Sequence, residues 1–114
     1  MNIQSENLDQ PLSVLLHIAS EHLDAGNVNT FKQLIQPYLD ENQVVLVDMS
    51  ALNFVDSSGL GSLLSCLRAM NNKGGKLKLI GMTKPVHSLF ELVRMNRIFS
   101  IYDNKQAAID ALAA

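Results

Sequence analysis

The sequence predicts a single α/β domain over residues 1–114: a mixed, mostly parallel β-sheet of four to five strands, flanked by about four α-helices. Three observations carry this. Short apolar runs at residues 12–18, 44–47, 76–80 and 98–102 alternate along the chain with stretches of helical apolar spacing. Strands alternating with helices imply a largely parallel sheet with right-handed crossovers. A length of 114 residues suits one domain whose core is large enough to fold unaided, and 47% hydrophobic with 18% charged residues is an ordinary globular balance rather than that of a disordered chain.

Residues 1–10 are mostly polar, anchored by Ile3 and Leu8, and read as a short edge strand or a loose arm that Pro11 ends. Residues 12–18 form a partly alternating strand with His17 on its polar face, and residues 20–27 a loop. Val28, Phe31, Leu34, Ile35, Tyr38 and Leu39 share one helical face, with Asn27 or Asn29 available as a cap. Pro37 inside that pattern removes a backbone hydrogen bond and predicts a kink or an early stop near Gln36. Val44-Val45-Leu46-Val47 reads as a strand buried on both faces. Leu60, Leu63, Leu64, Leu67 and Met70 then repeat at helical spacing until Asn72-Lys73-Gly74-Gly75 stops them. Lys76-Leu77-Lys78-Leu79-Ile80 is a strand with one wetter face. Thr83, with Pro85 in the first turn, opens a helix whose apolar face is Val86, Leu89, Phe90 and Val93. Residues 98–102 give the last strand, and Asp103 or Asn104 caps a terminal helix through Ala107, Ala108, Ile109, Ala111 and Leu112.

Several function classes are disfavoured. The net charge is −2 and the basic residues are scattered, so nucleic acid is not an expected partner. The single cysteine, Cys66, cannot form an internal disulfide; among Leu63, Leu64 and Leu67 it reads as a packed thiol in a protein of a reducing compartment. The first residues lack a signal-peptide pattern, and no apolar run approaches the length of a membrane span. The expectation is a soluble, cytoplasmic protein without membrane insertion. Neither Ser57 nor Ser58 has the glycine two places before it that a hydrolase nucleophile elbow needs. Gly59-Leu60-Gly61 has Leu64 where a dinucleotide fingerprint needs glycine, and no Gly-Lys-Ser/Thr phosphate loop is present. His17, His22 and His87 show no metal-ligand spacing. A phospho-accepting receiver domain shares the architecture, but the loop after the strand at 12–18 offers only Glu21 and Asp24 for magnesium. No catalytic residue, cofactor or metal is expected, and the protein is not read as an enzyme.

The chain concentrates its information in Asn53-Phe54-Val55-Asp56-Ser57-Ser58-Gly59-Leu60-Gly61, where a buried strand runs through a loop into a helix. Asp56, Ser57 and Ser58 are residues of the type that accept hydrogen bonds from the free N–H groups of a first turn, and one or more of them caps the helix. A serine here has two readings. It is a cap contributing about 1 kcal/mol, or Ser57 accepts a phosphate, which unpaired N–H groups and the helix dipole favour by roughly 0.3–2 kcal/mol. In a buried interface the same charge would cost about 3–5 kcal/mol, with a tenfold loss of affinity for every 1.4 kcal/mol or so.

Residues 47–61, from Val47-Asp48-Met49-Ser50 to Asp56-Ser57-Ser58-Gly59-Leu60-Gly61, closely resemble the signature of the STAS domain family, in particular the bacterial anti-sigma factor antagonists. The likeness continues through Lys76–Met82, residues 85–92 and residues 99–102, and with Leu23-Asp24 covers about residues 12–112. It implies a single STAS domain in which Ser57 is the serine phosphorylated by a partner kinase. Asp24, Asp56, Ser57, Ser58, Gly59, Leu60 and Gly61 would form the partner-binding surface, with Leu60 either core or an exposed contact. The implied partners are an anti-sigma factor that is also a serine kinase, and a serine phosphatase acting on phospho-Ser57. The sequence departs from the family at Glu21-His22, where a Gly-Glu pair is usual. An alternative role on the same fold is a non-switching STAS subunit of a lipid-transport ABC assembly.

Overall fold

A computed structural model describes residues 1–113. Its main sheet has five strands, β1 (Asn2–Asn7), β2 (Ser13–Ala19), β4 (Val44–Asp48), β6 (Lys76–Ile80) and β7 (Ser100–Tyr102), in the order β1-β2-β4-β6-β7. Only β1 runs antiparallel to its neighbour; the other pairs are parallel. A separate two-stranded ladder joins β3 (His22–Leu23) to β5 (Phe54–Val55). The helices are α1 (Val28–Glu41), α2 (Ser57–Asn72), α3 (Lys84–Leu92) and α4 (Lys105–Ala113), with one turn of 3-10 helix at Met95–Arg97. The predicted class, strand number and helix number hold among the described residues.

Strand alternation divides the core between two layers. Val14, Leu16 and Ile18 of β2, Val45 and Val47 of β4, and Leu77 and Leu79 of β6 pack with Phe31 and Ile35 of α1, Leu63 and Met70 of α2, and Phe90 of α3. On the other face Leu15, Leu46 and Ile80 meet Ala108 of α4. Thus β4, central in the sheet, is buried on both sides as its unbroken apolar run predicts. Helix α2 ends with Gly74 at φ +76°, where the Gly75 N–H donates to the Met70 carbonyl and the Gly74 N–H to that of Asn71, the left-handed glycine stop expected at this point. Asn104 caps α4 by accepting from the Ala107 N–H at 2.9 Å.

Several local expectations are corrected. Pro37 neither stops α1 nor shortens it: the helix runs 14 residues to Glu41. Pro37 lies on the exposed side, so the carbonyl it leaves unpaired can be hydrated, while Phe31, Ile35 and Leu39 hold the helix across it from beneath. Asn27 stands at the cap position of α1, but its side chain turns back into the preceding loop. Thr83 precedes α3 without capping it, because its hydroxyl donates to the Leu52 carbonyl at 2.7 Å. The loop at residues 20–27 contains β3, whose two residues are too few to show a period. The last strand starts at Ser100 rather than Ile98, since residues 95–97 coil and leave Ile98 exposed.

Candidate functional site

The site is assembled where two loops meet at the carboxyl ends of the parallel strands. After β4 the chain turns through Met49, whose N–H donates to the Ile80 carbonyl at 2.9 Å, and enters β5. The ladder pairs His22 with Phe54 and Leu23 with Val55, and the N–H groups of Asn53 and Phe54 both donate to the Glu21 carbonyl. This zipper lays residues 20–27 alongside the start of α2.

Asp56 joins the two segments. Its Oδ1 accepts the Gly59 N–H at 2.9 Å, capping α2, and its Oδ2 accepts the Ala25 N–H at 3.0 Å. The Gly59 N–H, opposed by some desolvation and aided by the Ala25 N–H, holds the Asp56 carboxyl below the usual range, so it is an anion at neutral pH. Asp24 organises the other loop: Oδ1 accepts the Gly26 N–H at 2.9 Å and Oδ2 lies 3.0 Å from His22 Nδ1. The Asp24 carbonyl accepts the N–H groups of Asn27 and Val28, which starts α1. Asn27 ties the loop to itself, accepting from the Asp24 N–H at 3.0 Å and donating to the His22 carbonyl at 2.8 Å. The structure therefore brings Asp24 and Asp56 together across Ala25.

Of the three candidate caps, only Asp56 acts. Ser57 and Ser58 open α2 and are both exposed, and neither hydroxyl takes part in a hydrogen bond among the described residues. Their N–H groups are those that every helix start leaves without a helical acceptor. The Ser57 oxygen thus sits in water at the positive end of a 16-residue helix. Leu60 is half-buried and packs against the core, resolving its two readings towards packing with a remaining exposed edge.

The two glycines differ. Gly59 is buried, and a Cβ on it would stand 2.2 Å from the Leu23 carbonyl oxygen and 2.9 Å from Val55 Cγ1, so its bare backbone lets α2 approach β3. Gly61 is exposed, and a Cβ there would meet nothing within 4 Å.

Three features escaped the sequence reading. The Ala25 N–H, a backbone group, carries no residue signal. The His22–Asp24 contact depended on the turn of the loop. Phe54, 55% exposed beside the helix start, was legible in principle, since a buried Val55 forces its neighbour outward. Cys66 is buried, and desolvation pushes its thiol up to about 11, as a packed thiol requires. Among the described residues no group of three His, Cys, Asp or Glu side chains is placed to hold a metal, and no helix is long and apolar enough to cross a membrane. A cavity of about 500 Å³ lies elsewhere, between the β1–β2 turn and α4, lined by Leu8, Val44, Ile109 and Leu112 among others.

A family model described as the STAS domain matches residues 2–108. The anti-sigma F factor antagonist of Paenibacillus polymyxa is 30% identical over 114 residues, covering 98% of this chain and 97% of that protein. The structure of an anti-sigma-factor antagonist (STAS) domain protein from Planctomyces limnophilus superimposes with a TM-score of 0.86 at 17% identity, covering 98% of each chain. The anti-sigma factor antagonist SpoIIAA matches in its unphosphorylated form with a TM-score of 0.78 at 20% identity, covering 98% of this chain and 96% of that one. The phosphorylated form of SpoIIAA, from Bacillus, matches with 0.71 at 19%, covering 97% and 99%. These likenesses at low identity carry the fold, while the family match and the Paenibacillus relative carry descent: the chain belongs to the STAS domain family.

Proposed function

We propose that this protein is an anti-sigma factor antagonist controlled by phosphorylation of Ser57. With Ser57 unmodified it binds an anti-sigma factor that is also a serine kinase, through a surface made of Asp24, Asp56, Ser57, Ser58, the exposed edge of Leu60, and Gly61, with Phe54 at its border. Gly59 supports that surface from beneath. The kinase transfers the γ-phosphoryl group of its ATP to Ser57 Oγ; the hydroxyl proton is lost and ADP leaves. The modified protein is released, and a serine phosphatase resets it by hydrolysing the phosphoserine. The chain itself catalyses nothing.

The observation that carries this reading is a division of labour at the start of α2. Asp56 makes the cap, so the neighbouring Ser57 hydroxyl is exposed and free to react without loss of a structural hydrogen bond. The names of the relatives, and the existence of SpoIIAA in both phosphorylated and unphosphorylated forms, support it. A dianion at Ser57 is favoured by the helix dipole, whereas against a partner's surface it is an uncompensated charge. The test is phosphoryl transfer from labelled ATP by the cognate kinase. The wild type should be labelled and Ser57→Ala should not; equal labelling of Ser57→Ala would remove Ser57 from the mechanism.

A further inference from the structure

Three of the six large apolar side chains exposed among the described residues fall within seven residues: Leu92 at 78%, Val93 at 41% and Ile98 at 51% exposure. They lie around the turn that ends α3 and leads through the 3-10 segment into β7. Hydrogen bonds from the Arg94 N–H to the Glu91 carbonyl and from the Ile98 N–H to the Met95 carbonyl fix this turn, so the patch is held in place. Two exposed arginines, Arg94 and Arg97, interrupt it, and neither has an ion-pair partner among the described residues. The neighbouring carboxylate, Glu91, is engaged with His87 at 3.1 Å. Arg94 also holds φ +61°, a conformation glycine adopts with less strain.

We propose that this patch is a second docking surface, one that receives an acidic amphipathic helix of another protein. Apolar side chains seat the leucine face of such a helix, and the two guanidinium forks take its carboxylates in the paired geometry that suits arginine. Other occupants fit less well. A second copy docked symmetrically would set the arginines against their own images. An anionic membrane would gain only two cations and three apolar side chains, on a chain whose net charge is −2. Helix α3 starts beyond the carboxyl end of β6 and returns towards the amino end of β7, while Ser57 follows the carboxyl end of β4. The patch and Ser57 therefore lie at opposite ends of the sheet, and both can be occupied at once. The inference does not depend on the switch assigned to Ser57.

The test is NMR titration of the whole protein with a synthetic helical peptide carrying leucines on one face and flanking glutamates, beside a control with lysines in place of the glutamates. Shifts confined to residues 92–98 are expected with the glutamate peptide alone. Arg94→Gly combined with Arg97→Gln should weaken binding at least tenfold; glycine is compatible with the local backbone, so the variant keeps the fold. Leu92→Ser alone should weaken it severalfold, and Ser57→Asp should leave it unchanged. The proposal is overturned by equal binding of the lysine peptide, by shifts elsewhere, or by undiminished binding to the double variant. It is overturned equally if residues 92–98 shift with protein concentration alone, which assigns the patch to a second copy, or if anionic vesicles bind the wild type and not the double variant, which assigns it to a membrane.

Discussion

The same substitution two residues apart on α2 should move stability in opposite directions. In Gly59→Ala the new methyl stands 2.2 Å from the Leu23 carbonyl oxygen, about 1.2 Å inside the 3.4 Å at which ordinary contact begins. The obstacle is backbone, held in the ladder with β5 by the Asp56 N–H that donates to this same carbonyl at 3.3 Å, so it cannot swing away as a side chain would. Overpacking of this kind costs about 1–3 kcal/mol, and the intrinsic helix preference of alanine returns at most about 1 kcal/mol of it. In Gly61→Ala the methyl meets nothing within 4 Å, so only the propensity gain of roughly 0.5–1 kcal/mol remains. Urea unfolding of the three proteins should place Gly59→Ala below and Gly61→Ala above the wild type. Their thermal midpoints should follow in the same order, by about 4 °C for each kcal/mol in a domain of this size. Partner binding separates the two again: Gly61→Ala adds a methyl to the proposed contact surface and should weaken binding although the fold gains stability. A Gly59→Ala protein within about 0.5 kcal/mol of wild type, or a destabilised Gly61→Ala, would refute the assignment of one glycine to close approach and the other to open surface.

Other outcomes follow from the same geometry. Ser57→Ala should leave the unfolding free energy within about 0.5 kcal/mol of wild type, because the exposed hydroxyl makes no hydrogen bond among the described residues; a larger loss in a urea melt would return Ser57 to a capping role. The Asp56 carboxyl is held below its unfolded-state value, so its contribution is present above that value and is lost as pH falls through the folded one. Unfolding followed from pH 7 down into the acid range should show a smaller acid loss in Asp56→Asn, since asparagine caps about as well and does not titrate. Pro37→Ala should stabilise by about 1–3 kcal/mol, because the exposed proline leaves a helix carbonyl unpaired; no gain in a thermal melt would mean that the helix has already compensated for it. Cys66, buried with its thiol pushed up to about 11, should react with a disulfide reagent only as fast as the domain opens, and rapid labelling of the native protein would contradict its place in the core.

The legible part of this fold was the part governed by period. Val44-Val45-Leu46-Val47 announced a central strand because burial on both faces leaves no room for a polar residue, and Leu63, Leu67 and Met70 announced α2 because one face must be apolar. The illegible parts are those where tertiary contact outranks local preference. Pro37 is tolerated because core packing under α1 outweighs one missing bond on its wet side. Thr83 gave up its cap for the Leu52 carbonyl, and Asn27 gave up its own for the loop that carries Asp24. At the site, residue types identified the helix start and three candidate caps, Asp56 among them, but the partner of Asp56 across the rim is a backbone N–H that any residue except proline at position 25 would supply.

The division between Asp56 and Ser57 would let one helix terminus serve both stability and the regulation proposed for Ser57. If the serine were the cap, a phosphate on it would exchange one structural hydrogen bond for another arrangement, and the change felt by a partner would be mixed with a change in the fold. Here the cap bonds and the tie to Ala25 run through a carboxylate that stays ionised at neutral pH, one residue before the hydroxyl. Adding charge at Ser57 would set two effects against each other at the protein's own surface: repulsion from the neighbouring Asp56, and attraction to the positive end of the helix dipole. Both are moderated by water while the site is exposed. Against a docked surface the water is gone, and the desolvated phosphate finds no cation among Asp24, Asp56, Ser58 and Gly61 to compensate it. On this geometry the response to the proposed phosphorylation would be small in the free protein and large in a complex, as a binding switch requires.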